Sequence, residues 1–176
     1  MFMLRRTIKL GDYLDEAVYG ANDGIITTFA VISSATGATL GGEAIIILGL
    51  ANLIADGFSM GASSFLSIRT AEDVQRLTSF WKNRNSDALS RSLTTFGAFV
   101  LAGSIPLIPF ISASAAGHEF IISAFAAGIA FFFVGGSRTI VTKRGFFISG
   151  LEMFIVGGVA AILAYSIGYV IHSSIV

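Results

Sequence analysis

The chain has 176 residues, 54% hydrophobic and 12% charged, with a mean hydropathy of +0.80. Soluble domains carry about 25% charged residues, so water is not this chain's main solvent, and a formal net charge of zero excludes the basic excess that a nucleic-acid partner requires. The lack of cysteine excludes disulfides, thiolate ligands and thiol catalysis.

A membrane-crossing helix needs roughly 20 mostly apolar residues. Five stretches meet that requirement, at residues 17–40, 44–68, 93–111, 120–136 and 146–171. The fold class expected is therefore all-α, a single five-span transmembrane domain over residues 1–176. No cleavable leader is evident, because Asp12, Asp15 and Glu16 separate Arg5, Arg6 and Lys9 from the first apolar run. Residues 13–19 mix Leu14, Val18 and Tyr19 with Asp15 and Glu16 and suggest a short interfacial helix. A tight turn is expected at Gly41 and Gly42. Residues 69–92 form a polar cytosolic linker, too short for a core of its own, in which Trp81 is a candidate headgroup anchor. Pro106 and Pro109 should bend or end the third helix, since each removes a backbone donor.

All 11 Lys and Arg fall in alternate connections: Arg5, Arg6 and Lys9, then Arg69, Arg76, Lys82, Arg84 and Arg91, then Arg138, Lys143 and Arg144. That asymmetry places the N-terminus in the cytosol and the C-terminus outside or in a lumen.

An ionisable residue within a span is a functional candidate. Asp56 sits at the middle of the second span, and no Lys or Arg lies in any apolar span to pair with it. Its plain alternative is a neutral acid bonding a neighbouring helix. Asn52, Asp56 and Met60 recur every four residues and share one helix face, with Ser59 and Ser63 beside them. An amide oxygen, a carboxylate and a thioether suit a borderline divalent transition metal, the thioether supplying softness; Met60 read alone is an ordinary core filler. Asp23, within Gly20-Ala-Asn-Asp-Gly24, begins a small and polar stripe with Thr27, Ala30 and Ser34; alternatively it caps the helix at the interface. Gly20/Gly24 and Gly57/Gly61 are G-x-x-x-G pairs that permit close helix contact. Glu152 reads as an acid at a helix N-terminus near Lys143 and Arg144. Glu72, Asp73 and Asp87 read as solvated, Glu43 and Glu119 as loop acids or an acidic mouth, and His118 and His172 as isolated. No Ser/His/Asp arrangement, HExxH or P-loop is present, so no enzyme and no resident cofactor is expected.

Three segments resemble the vacuolar iron transporter family: Asp12-Tyr-Leu-Asp-Glu-Ala-Val-Tyr-Gly-Ala-Asn-Asp-Gly24, Gly49-Leu-Ala-Asn-Leu-Ile-Ala-Asp-Gly-Phe-Ser-Met60, and Glu152-Met-Phe-Ile-Val-Gly-Gly158 continuing to Ala164-Tyr-Ser-Ile-Gly168. The resemblance implies a homodimer with the path at the subunit interface. It implies export of Fe²⁺, and often Mn²⁺, from the cytosol, coupled to inward protons. The family's pathway Asp and Met fall on Asp23 and Met60. Where some members carry a pathway Glu this chain has Asn52, and Asp56 one turn on replaces the charge. The family's cytosolic metal-collecting insertion would fall at residues 69–92, which are too few to hold it. The expected metal ligands are therefore Asp23, Asn52, Asp56 and Met60, with metal ions, protons, lipid and a second copy as partners. A compact length suggests a prokaryotic cell membrane, or a vacuolar-type membrane in a eukaryote. A passive cation channel and a non-transporting scaffold are the rival functions. A cysteine at Ser173 should react with an impermeant reagent in intact cells; reaction only after the cells are opened would reverse the orientation.

Overall fold

The computed structural model describes residues 2–78, 87–112, 117–142 and 145–175, and every element among them is helical. α1 (Phe2–Gly37) and α2 (Gly42–Thr78) form a long antiparallel hairpin. α3 (Ala88–Gly103) runs into a 3₁₀ turn at Ile105–Leu107 and the short α4 (Ile108–Ile111). α5 (Glu119–Ser137), α6 (Thr139–Thr142) and α7 (Phe146–Ile175) complete the bundle.

Four helical stretches are long and apolar enough to cross a membrane: Gly42–Val74, Ala88–Ile111, Glu119–Ser137 and Phe146–Ile175. They coincide with the second to fifth expected spans. The expected first span is helical but does not reach that level of apolarity. Its position explains why. α1 packs against α2, α3, α5 and α7, and Ile25, Thr28 and Ile32 are wholly buried within it. A helix wrapped by protein can carry Asn22, Asp23, Thr27, Thr28, Ser33 and Thr36 because these face the bundle rather than lipid. Nor do residues 13–19 form a separate interfacial helix; they are part of the continuous α1.

The core gathers Ile25, Phe29 and Ile32 of α1 with Leu53, Phe99, Leu107, Phe131 and Met153. Phe29 meets Phe131 edge-on at 6.4 Å, a favoured aromatic geometry. The α1–α2 connection closes as a Schellman turn. Thr39 N–H donates to the Thr36 carbonyl and Leu40 N–H to the Ala35 carbonyl, each at 2.9 Å. Thr39 holds the left-handed position at φ 56°, which is costly for a β-branched residue. Its Oγ1 lies 3.0 Å from His172 Nε2 at the end of α7. The expected break at the prolines is present. Ser123 of α5 donates to the Pro106 carbonyl at 2.7 Å, satisfying backbone that the interrupted helix leaves free.

Missing side chains set the closest approaches. Gly20 and Gly24 lie against the Thr95 and Phe99 carbonyls of α3, and Gly57 and Gly61 receive Phe96 from the same helix. Both G-x-x-x-G pairs thus serve α3. Gly168 brings α7 onto the Ser34 carbonyl of α1. Beyond such points α7 is nearly bare: Ile155, Ile162, Leu163 and Ile167 are all more than half exposed, as lipid contact requires. Trp81, Lys82, Arg84, Lys143 and Arg144 lie outside the described residues, and with them the expected headgroup anchor.

Gly168→Ala drives a methyl into backbone and should cost about 3 kcal/mol, whereas Gly158, with open space around it, should accept Ala with a gain of up to ~1 kcal/mol from helix propensity. Thermal unfolding of the two variants in detergent checks the contrast; equal midpoints would refute the close α1–α7 contact.

Candidate functional site

A tight hairpin pairs residues equally distant from its turn, and this brings Asp23 of α1 opposite Asp56 of α2. The two carboxylates are near enough for their charges to act on each other. Both are half-buried, and among the described residues neither forms an ion pair. Asp23 is not a cap: it lies deep within α1, which starts at Phe2. Thr27 donates to its backbone carbonyl at 2.9 Å. Asn52, Asp56 and Met60 run along the same side of α2, all half-buried, with Met60 packed against the core. Ser59 and Ser63 are exposed and lie off this stripe.

Two amide atoms stand out. Asn22 Oδ1 and Asn52 Nδ2 are buried without a hydrogen-bond partner. Buried polar atoms are nearly always satisfied; one atom each of Thr28, Ser33, Glu72 and Arg91 is left without a hydrogen bond as well. Asn22 was not among the candidates read from sequence, although it adjoins Asp23.

Glu16 and Arg91 were also missed as a pair. They lie 75 residues apart, yet Arg91 Nη2 donates to Glu16 Oε1 at 2.7 Å. Thr95 Oγ1 and Ser64 Oγ donate to Oε2 at 2.8 and 3.2 Å. Ser64 extends the α2 stripe one turn beyond Met60, and Glu16 lies two turns before Asp23. A polar seam therefore follows the α1–α2 interface from Glu16, past Met60, to the Asp23–Asp56 pair and Asn52.

The remaining acids are dispersed. Glu72, expected to be solvated, is half-buried. Glu152 meets Arg138 at 3.9 Å with both side chains exposed. Glu43 is exposed, and Glu119 accepts the Gly117 N–H at 3.0 Å. Among the described residues no three His, Asp or Glu side chains converge on one point. One chain thus offers two carboxylates, an amide and a thioether. The charges of a divalent cation and two carboxylates cancel, which lowers the cost of a low-dielectric site.

Fold and seam together define a class: a helical bundle suited to a membrane, with an acidic seam between its first two helices. The chain belongs to the VIT family, whose sequence profile matches residues 14–80 and 76–169. It is 39% identical over 62 residues to the vacuolar iron transporter of Toxoplasma gondii, and 43% identical over 56 residues to that of Plasmodium berghei. These matches cover 35% and 32% of this chain but only 20% of each relative's length. Vacuolar iron transporter 1 of Oryza sativa subsp. japonica is 19% identical over 96% of this chain and 89% of its own length. That alignment is 224 positions long, so the rice protein carries residues that this chain of 176 lacks. These relatives are eukaryotic and lend no support to a prokaryotic membrane.

Asp23→Asn and Asp56→Asn each remove one of two like charges. In metal-free detergent at pH 8 either variant should unfold at a higher temperature than wild type. Their effects should be non-additive by about 1 kcal/mol. Lower midpoints for both would mean that the carboxylates serve as structural hydrogen-bond acceptors.

Proposed function

We propose that the chain exports a divalent transition metal, Fe²⁺ or Mn²⁺, from the cytosol by proton antiport. The observation that carries this reading is the juxtaposition of Asp23 and Asp56 on adjacent helices with no basic partner among the described residues, on the stripe of Asn52 and Met60. In this reading the bundle crosses the membrane five times, α1 being the shielded fifth crossing, with the N-terminus cytosolic. Membership of the VIT family and the names of the relatives support metal transport as the class of activity.

Carboxylates that face each other without a counter-ion hold either protons or a divalent cation, since two bare negative charges at close range in low dielectric are costly. Metal from the cytosol displaces the protons, and protons from the far side displace the metal. Met60 lies between the cytosolic end of the seam and the acids, where its thioether favours later transition metals over Mg²⁺ or Ca²⁺. A second copy of the chain across the seam would complete a coordination shell that one chain's donors leave short.

Proteoliposomes with an imposed pH gradient test this. Wild type should accumulate Fe²⁺ or Mn²⁺ only with the gradient, and Asp23→Asn should lose at least about 100-fold in rate, as expected when a principal charged ligand is removed. Uptake indifferent to pH would indicate a passive channel. Full uptake by well-inserted Asp23→Asn and Asp56→Asn would refute the site.

A further inference from the structure

The two ends of the seam treat their acids differently. Among the described residues Asp23 and Asp56 have no cation partner, whereas Glu16 has one. We propose that Arg91 is a tethered competitor at the cytosolic mouth of the seam: its guanidinium occupies Glu16, and a divalent cation must displace it to reach Met60 and the Asp23–Asp56 pair. This rests on the transport reading above and adds regulation of the same site.

Three features carry it. The first is position. Glu16 is the outermost acid of the seam whose contacts are defined, bonded to Ser64 one turn from Met60 and two turns along α1 from Asp23. An ion moving inward along α2 passes the half-buried Glu72, two turns beyond Ser64 on the same face, and then the hydrogen-bonded Glu16 before it reaches Met60. The second is the division of labour between its oxygens. Thr95 and Ser64 hold Oε2, and Arg91 takes Oε1. Release of Arg91 therefore leaves the carboxylate oriented by two hydroxyls and one oxygen open to a metal. The third is burial. The Glu16 side chain is 14% exposed and that of Arg91 is 26% exposed. The pair is shielded enough to matter, yet Arg91 keeps a route to solvent, where its long side chain can move while its stem stays packed.

A resident guanidinium also explains how an acid is tolerated there between transport events, since an uncompensated charge in low dielectric is costly. It sets a threshold as well. The apparent affinity of a site falls by the fraction of time the site is competent, so Arg91 tunes the metal concentration at which the seam loads.

A structural tie and a competitor give opposite expectations for the two halves of the pair. In Mn²⁺ uptake by proteoliposomes, Arg91→Gln should lower KM about three- to tenfold with kcat little changed, because the competing state is gone. Glu16→Gln, which keeps both hydroxyl contacts, should raise KM by a similar factor. The exchanged pair Glu16→Arg with Arg91→Glu should regain thermal stability without regaining the wild-type KM. Equal shifts of KM in the same direction for both single variants, or full rescue by the exchange, would show a purely structural pair. If Arg91→Gln does not insert, Arg91→Lys should shift KM in the same sense by a smaller factor, and an unchanged KM would overturn the proposal. Equilibrium titration with Mn²⁺ separates this inference from the reading beneath it. Active wild type with the same Mn²⁺ affinity in Arg91→Gln refutes the competitor alone. Wild type without uptake refutes transport, and the titration then decides whether Arg91 competes with Mn²⁺ at all.

Discussion

The structure depends on a polar helix placed where lipid cannot reach it. α1 carries two amide- or acid-bearing residues in sequence, Asn22 and Asp23, and hydroxyls at Thr27, Thr28, Ser33 and Ser34. In hydrocarbon, polar groups without partners cost several kcal/mol each. Packing against other protein makes such a helix stable, and four other helices contribute to it, burying Ile25, Thr28 and Ile32 fully and Asn22, Asp23 and Thr27 in part. Enclosure in turn requires close approach. Glycine supplies this at Gly20 and Gly24 toward α3, and at Gly37 and Gly168 between α1 and α7. Van der Waals contact between backbones is the attraction available when lipid is as apolar as the side chains.

Enclosure also fixes the chemistry. Because α1 and α2 are joined by a short turn, their registers are not independent, and an acid at position 23 must meet whatever stands opposite on α2. That residue is Asp56, with Asn52 and Met60 a turn to either side. The arrangement exchanges stability for a site. Two acids near each other destabilise the empty bundle unless they are protonated or hold a cation, and the surrounding contacts, from the Phe29–Phe131 pair to the Ser123–Pro106 bond, offset that cost.

Much of this was legible in the sequence, for reasons that also mark where legibility ended. Hydropathy located α2, α3, α5 and α7 because those helices face lipid and must be apolar. It under-described α1, whose partners are other helices, and it took residues 13–19 for an interfacial piece because Glu16 makes interhelical contacts that one-dimensional hydropathy does not encode. Asn52, Asp56 and Met60 emerged from four-residue spacing, a local property. Glu16 with Arg91 did not, because the contact joins residues 75 apart and depends on how α3 lies in the groove of the hairpin. The turn did contain one unused clue: counting outward from it along both helices places Glu16 beside Ser64 and Asp23 beside Asp56 before any coordinates are seen.

Satisfaction of hydrogen bonds separates the acids of this seam into two kinds. Glu16 accepts three donors from two helices, and one of them is a cation. Asp23 and Asp56 accept no such set, and the amides near them, Asn22 and Asn52, each leave an atom unpaired. A protein that needed these residues only to join helices would gain by pairing them with each other or with the many hydroxyls on α1, and Thr27 instead spends its hydroxyl on the Asp23 backbone. The pattern is the one the proposed metal site requires, in which polar atoms are kept from internal partners so that a guest can take them. The paired acid at one end and, among the described residues, the unpaired acids at the other then give the proposed path a direction, from a neutralised mouth to a centre that is not.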